Sequence, residues 1–326
     1  MKKKIKIICT LGPSSLNSDF LKFANKKISL LRLNLSHLNL KSLTQSIKFV
    51  KRYTKIPICI DTEGAQIRTK IKKEKFYKIG QKVKITNAKG NINLYPHSVY
   101  EKIKKNDVLN IGFSNLKLKV ISKKNKILCN VLSSGKFENN KGVHLENRSI
   151  KLNYLTKKDF EAIQIGKKYK IKNYALSFTN STADIVNFNN LLKNKNKIYK
   201  IETSRAVKNF KLILKKGDQF LIDRGDLSKD IEIENIPIAQ RKLFKLKRKY
   251  QNKKIFVATN LLESMLENNY PTRGEANDIY NSLEMGAEGL VLAAETAIGK
   301  HPKDAVIFLQ KMIKSFKKNK YKNKIF

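Results

Sequence analysis

The sequence predicts an α/β fold: a (β/α)8 TIM barrel with a small all-β domain inserted after its third strand. Three observations lead there. First, Lys253 to Pro302 reads as strand, helix, strand, with polar residues gathered where each apolar run stops. Ile255-Phe-Val-Ala258 ends at Thr259, and Gly289-Leu-Val-Leu-Ala-Ala294 ends at Glu295-Thr296, the pattern of a parallel βα unit. Second, the same rhythm recurs along the chain and gives about eight strands, each followed by a helical pattern. Third, the rhythm breaks between Lys70 and Leu152, where short runs alternate apolar and polar residues between turn residues, as in small antiparallel sheets.

Taken in order, Lys4 to Leu11 is the first strand, stopped by Gly12-Pro13, and a helical stretch covers Asp19 to Lys27. Ser29 to Ser36 is the second strand, Ser42 to Arg52 a helix, and Ile56 to Ile60 the third strand, ending in Asp61-Thr62. Within the insertion, Lys82–Thr86, Leu116–Ile121 and Ile127–Leu132 are the clearest strands. A helix start at Leu155–Asp159 resumes the barrel, whose later strands are Tyr174–Phe178, Lys197–Ile201, Gln219–Ile222, Ile255–Ala258 and Leu290–Ala294. After Thr259, Leu262, Met265 and Leu266 share one helical face and are assigned to the core; a turn at Tyr270–Arg273 precedes a helix from Glu275 to Met285. Asp304 to Phe316 is the closing helix, and Lys317 to Phe326 a basic, frayed tail. The expected division is residues 1–68 and 153–326 for the barrel and 69–152 for the insertion.

Composition narrows the function classes. The formal net charge of +43 fits a polyanion partner, yet Lys, Asn and Ile are abundant together, as in A- and T-rich coding sequence. Basic clusters such as Lys123-Lys124 and Lys317-Lys318 are short and lack interleaved aromatics, so a nucleic-acid partner is not expected. No stretch has membrane-spanning length, and the N-terminal apolar run is too short and broken by Lys6 for a signal peptide. The cysteines, Cys9, Cys59 and Cys129, lack metal or redox spacing, and a reducing cytoplasm is the expected compartment.

Active sites of parallel barrels collect at the carboxyl ends of the strands. There this sequence offers Arg32, Asn34, Ser36 and His37; Asp61, Thr62 and Arg68; Ser177; Lys200 and Glu202; Arg224, Gly225 and Asp226; Thr259; and Glu295. Glu202 and Asp226, ending neighbouring strands, suit one hard divalent cation such as Mg2+, which takes few carboxylates and keeps positions for water and phosphate. Arg32, Arg68 and Lys200 add fixed positive charge, and together these are the parts of a phosphoryl-transfer site. Read without any family pattern, the same charges also describe a structural ion-pair network at a barrel rim, and His37 a hydrogen-bonded rim residue.

At these residues the sequence resembles pyruvate kinase. The matching motifs are Ile8–Ser15, Arg32–His37, Asp61-Thr62 with Gly64 and Ile67-Arg68, Lys141–Val143, Ser177-Phe178, Lys200–Glu202, Arg224–Leu227, Ala258-Thr259 with Leu262–Met265, Pro271–Arg273 with Glu275, and Glu295–Ala297 with Gly299. They follow the family's order over nearly the whole chain. The resemblance implies that the inserted β domain is a mobile lid and that phosphate passes from phosphoenolpyruvate to ADP, giving pyruvate and ATP. It implies Glu202 and Asp226 as ligands of Mg2+ or Mn2+, and Asn34, Ser36, Asp61 and Thr62 as a K+ site. Lys200, Arg68 and Thr259 would be catalytic, with Thr259 beside the carbon that gains a proton. Arg32, Lys200, Ser177, Gly225, Asp226 and Thr259 would hold phosphoenolpyruvate, and Arg32, His37, Arg68 and Lys141 the nucleotide. Homo-oligomerisation through a barrel face is a further expectation.

Several positions depart from the family pattern. Members usually carry DTKGPEIR, where this chain has Asp61-Thr-Glu-Gly-Ala-Gln-Ile-Arg68, so Glu63 replaces Lys and Gln66 an acid linked to the potassium requirement. Asp223 stands in place of a small Ala before Arg-Gly-Asp, Asn180 in place of Arg, and Phe113 interrupts the lid's acidic turn. The family's C-terminal regulatory domain has no counterpart in these residues, so control by sugar phosphates is not expected. The alternatives are a degenerate barrel that binds a phosphorylated ligand or nucleic acid, and a different reaction of phosphoenolpyruvate or pyruvate.

Overall fold

The computed structural model describes residues 4–87, 90–112, 116–146, 148 and 150–322. They form two compact units, residues 1–63 with 157–326, and residues 64–156.

The first unit is a closed parallel barrel. Its strands are β1 (Lys6–Thr10), β2 (Leu30–Asn34), β3 (Ile58–Asp61), β4 (Asn173–Leu176), β5 (Asn196–Ile201), β6 (Gln219–Asp223), β7 (Lys254–Ala258) and β8 (Gly289–Leu292). Each pairs in parallel with its neighbour in sequence, and β1 pairs with β8, Lys6 opposite Gly289 and Cys9 opposite Leu292. The longer helices are α1 (Ser18–Ala24), α2 (Leu40–Tyr53), α3 (Lys157–Lys168), α4 (Thr182–Leu191), α5 (Ser204–Lys216), α6 (Ile236–Lys247), α7 (Arg273–Glu284) and α8 (Pro302–Lys322).

Side chains along a strand alternate between faces, so residues two apart share one. One face looks into the barrel, where Ile8, Leu30, Cys59, Ala175, Ile198, Leu221, Phe256 and Val291 pack together. The other face carries Tyr174, Tyr199, Phe220 and Ile222, which are buried with helix residues such as Phe188 and Phe210. The rings of Phe210 and Phe220 meet edge to face at 5.3 Å, a favoured aromatic geometry. Polar side chains stop the helices from starting elsewhere: Asn17, Asn39, Ser181, Thr203 and Thr272 each accept a backbone N–H of the first turn of α1, α2, α4, α5 and α7.

Two expectations are corrected. Leu262, Met265 and Leu266 do not lie on an α-helix: only a single 3-10 turn, Glu263–Leu266, forms there, and Leu266 is half-buried while Leu262 and Met265 are buried. Polar demands explain the short turn, because Glu275 reaches back from α7 to accept the Ser264 N–H at 2.7 Å. The closing helix does not end at Phe316 but continues to Lys322. Its buried Ala305, Val306, Leu309, Ile313 and Phe316 keep helical spacing, and the lysines that follow are good helix formers.

Among its described residues the second unit is all-β apart from one short helix, Val99–Lys102. Seven antiparallel strands run in the order Lys82–Ile85, Ile127–Ser133, Leu116–Lys123, Val108–Ile111, Gly142–Leu145, Ile67–Ile71 and Ile92–Tyr95. Lys75–Tyr77 and Gly135–Phe137 form a separate pair. Leu116, Leu118 and Val120 point inward while Lys117 and Lys119 are exposed, the alternation of a sheet with one wet face. Ile85, Leu109, Ile127 and Phe137 complete a core of the unit's own. Phe113 lies outside the described residues.

Candidate active site

In β2 to β6 the inward column of the strand changes from apolar to polar over two residues. Leu30 is followed by Arg32, Cys59 by Asp61, Ala175 by Ser177, Ile198 by Lys200 and Leu221 by Asp223. The alternation that packs the interior therefore also aims these polar groups into the barrel's carboxyl-terminal mouth.

Lys200 is the hub. Its ammonium lies 2.8 Å from Glu202 Oε1, 3.2 Å from Asp223 Oδ2 and 3.3 Å from Asp61 Oδ2, and donates to Ser177 Oγ at 3.3 Å. Burial alone pulls the lysine pKa down, but Asp61, Glu202 and Asp223 outweigh it and hold the group above its ordinary range. Asp61 Oδ2 also accepts from Arg32 at 3.2 Å, and Asp61 Oδ1 from Ser177 Oγ at 3.2 Å. Arg32 in turn donates to Thr10 Oγ1 at 2.8 Å, and Thr10 donates to the Leu292 carbonyl at 3.0 Å. The guanidinium is thus tied to the barrel seam.

Glu202 is fully buried, and its Oε2 accepts the Phe178 N–H at 2.6 Å. Burial pushes its carboxyl above the usual carboxylate range; Lys200 opposes this, and the like charges of Asp223 and Asp226 add to it. Glu202, Asp223 and Asp226 each offer an oxygen within 4.8 Å of the other two. Glu202 Oε1 faces the Lys200 ammonium at 2.8 Å. Three carboxylates this close together suit a hard divalent cation.

Thr259 adopts a left-handed backbone with φ +68°, as does Phe178 with φ +53°, both at strand ends facing the site. Such conformations cost about 1–3 kcal/mol and persist where surrounding bonds enforce them. For Thr259 the enforcement comes from Arg224, which donates from Nε at 3.1 Å and Nη2 at 2.6 Å to the Thr259 carbonyl and is anchored by Asp278 at 2.6 Å. Thr259 Oγ1 accepts the Gly225 N–H at 2.7 Å and donates to Asp223 Oδ1 at 3.2 Å.

Asn34, Ser36, Asp61 and Thr62 follow one another at the ends of β2 and β3, with the Ser36 N–H on Asn34 Oδ1 at 3.0 Å and the Ser177 N–H on Thr62 Oγ1 at 3.0 Å. His37 is exposed beside them. Arg68 and Lys141 belong to the inserted unit. There Arg68 stands opposite Gly142 and donates to the Asn140 carbonyl at 3.3 Å, and Lys141 lies 3.6 Å from Glu138. Glu63 pairs with Lys158 at 3.6 Å, and Asn180 donates to the Phe178 carbonyl at 2.9 Å and bonds to Thr203, so both departures are absorbed by local partners.

Sequence reasoning named Asp223 as a departure and Arg224 as a strand-end charge but gave neither a role. Asp223 is a member of the carboxylate cluster, as its place two residues after inward Leu221 allows. Arg224 holds the Thr259 backbone, for which the sequence carries no signal, since the contact joins the residues that follow β6 and β7.

The family model for the pyruvate kinase barrel domain matches residues 2–306. The pyruvate kinase of Thermotoga maritima is 32% identical over 97% of this chain and 72% of its own length. That of Methanocaldococcus jannaschii is 33% identical over 96% of this chain and 70% of its own. Against the Staphylococcus saprophyticus pyruvate kinase the identity is 32% over 93% of this chain, which spans 55% of that longer protein. With a match along almost all of its length, the chain belongs to the pyruvate kinase family of phosphotransferases.

Proposed function

We propose that this chain moves a phosphoryl group from phosphoenolpyruvate to ADP, yielding pyruvate and ATP in glycolysis, with Lys200 at the centre of the transfer. The observation that carries the reading is the buried ammonium of Lys200 among Asp61, Glu202 and Asp223. A fixed cation in a dry site stabilises negative charge that develops on a phosphoryl group and on an enolate, and needs no rearrangement to do so. Asp61 and Arg32 keep that ammonium in place, and Arg32 reaches the same phosphate. Glu202 and Asp226 hold the divalent cation, Mg2+ or Mn2+, which when bound supplies further charge neutralisation and a template for phosphate oxygens. Ser177 and the Gly225 and Asp226 amides face the substrate carboxylate. Thr259, fixed by Arg224, orients a proton donor beside the enolate carbon. Arg68 and Lys141 of the inserted unit, and His37 of the barrel, are the candidate contacts for the nucleotide. K+ is held by Asn34, Ser36, Asp61 and Thr62.

Three free, buried cysteines, whose thiols burial pushes up to inert values, suit a reducing cytoplasm. Among the described residues no helix is long and apolar enough to cross a membrane.

The test is a lactate-dehydrogenase-coupled assay with phosphoenolpyruvate, ADP and Mg2+, repeated with K+ omitted. Pyruvate formation dependent on nucleoside diphosphate is expected. Absence of turnover with every nucleoside diphosphate tried overturns the reading.

A further inference from the structure

The carboxylates gathered about Lys200 outnumber the cations seen paired with them among the described residues. Asp61, Glu202 and Asp223 pair with Arg32 and Lys200, and Lys229 lies 2.7 Å from Asp226 Oδ1. Asp223 is the carboxylate that upsets the balance; with a neutral residue there the group would be even. Its position is fixed on both oxygens, Oδ2 by Lys200 at 3.2 Å and Oδ1 by Thr259 Oγ1 at 3.2 Å, and its side chain is 6% exposed. Within this cluster Glu202 is fully buried, with its Oε1 2.8 Å from the Lys200 ammonium that Asp61 and Asp223 also share. A surplus of carboxylates about one ammonium repels an anionic substrate and attracts a cation.

We propose that Asp223 is a third carboxylate of the divalent-cation centre, so that this chain binds its metal tightly in the absence of substrate and takes phosphoenolpyruvate only afterwards. The inference rests on the reading of Glu202 and Asp226 as metal ligands. Hard divalent cations gain affinity with each added carboxylate, and Asp223 brings one to within 4.8 Å of the other two. The excess charge sets the order of binding: an anion arriving first meets net repulsion, whereas the cation reverses the sign of the site. Asp223 also joins the metal centre to Thr259 and Lys200 through its two hydrogen-bonded oxygens.

Mn2+ alone is the probe, titrated into the full chain by electron paramagnetic resonance without phosphoenolpyruvate or nucleotide. Asp223→Ala is expected to raise the Mn2+ dissociation constant about tenfold or more, as for loss of one charged ligand. Metal-free binding of phosphoenolpyruvate, followed by calorimetry, is expected to tighten in the same variant. Asp223→Asn keeps shape and removes charge, and gives the same shift; it decides the matter if the alanine variant does not fold. Glu202→Gln separates the role of Asp223 from the metal site itself. Loss of Mn2+ there, with both Asp223 variants within about twofold of the parent, overturns the role of Asp223 and leaves the metal site standing. Unchanged Mn2+ affinity in all three variants overturns both.

Discussion

Lys200 has a geometry that makes its removal informative. With three carboxylates within 3.3 Å, the ammonium is held in one place before any substrate arrives. Lys200→Ala is expected to lower kcat about 10³-fold, the scale for loss of a preorganised charge-stabilising group, and steady-state rates in the coupled assay measure it. The same change leaves buried like charges unopposed, so a lower Tm by calorimetry is expected beside the lost activity. Arg224 behaves differently, because it touches the Thr259 carbonyl and not the carboxylate cluster. Arg224→Ala releases the left-handed Thr259 backbone, and its defect should appear in kcat with Mn2+ affinity retained.

At the scale of elements, the entry to α7 carries several interactions on few atoms. Thr272 caps the helix, and Glu275 returns a bond to the Thr272 N–H at 2.7 Å while also accepting from Ser264. Thr272→Ala is expected to cost about 1 kcal/mol, measured by urea unfolding. Burial works against the Glu275 charge, but the bonds from Ser264 and Thr272 outweigh it and hold its pKa below the usual value. A folded pKa below the unfolded one means the contribution is full above the ordinary glutamate pKa and fades as pH falls through the folded value. Glu275→Gln should therefore lower Tm at neutral pH, with the gap closing in acid. The barrel strands and the strand-end residues were legible because both follow from alternation, as in Ile198, Lys200 and Glu202. What escaped depended on partners distant in sequence: the Glu263–Leu266 turn, shaped by Glu275, and the Arg224 bonds to Thr259. In the insertion, strands such as Ile92–Tyr95 and Gly142–Leu145 are only four residues long, too short to show a period.

For the whole molecule, the formal net charge of +43 bears on how the proposed anionic substrate is met. Long-range attraction of this kind raises encounter rates and is screened by salt over about 10 Å at 0.1 M. Accordingly kcat/KM for phosphoenolpyruvate should fall severalfold as inert salt is raised from about 0.01 to 0.3 M, with kcat changing less, and stopped-flow or steady-state rates decide it. The closure of the barrel has a consequence for synthesis on the ribosome. Because β1 completes its pairing only with β8, the ring cannot shut until residues 289–292 have left the exit tunnel. The inserted sheet, drawn from the unbroken stretch 64–156 with its own core, faces no such wait. Translation thus delivers the later-interrupting module first, and the earliest strands, β1 to β3, must remain unclosed throughout the making of everything between them and β8.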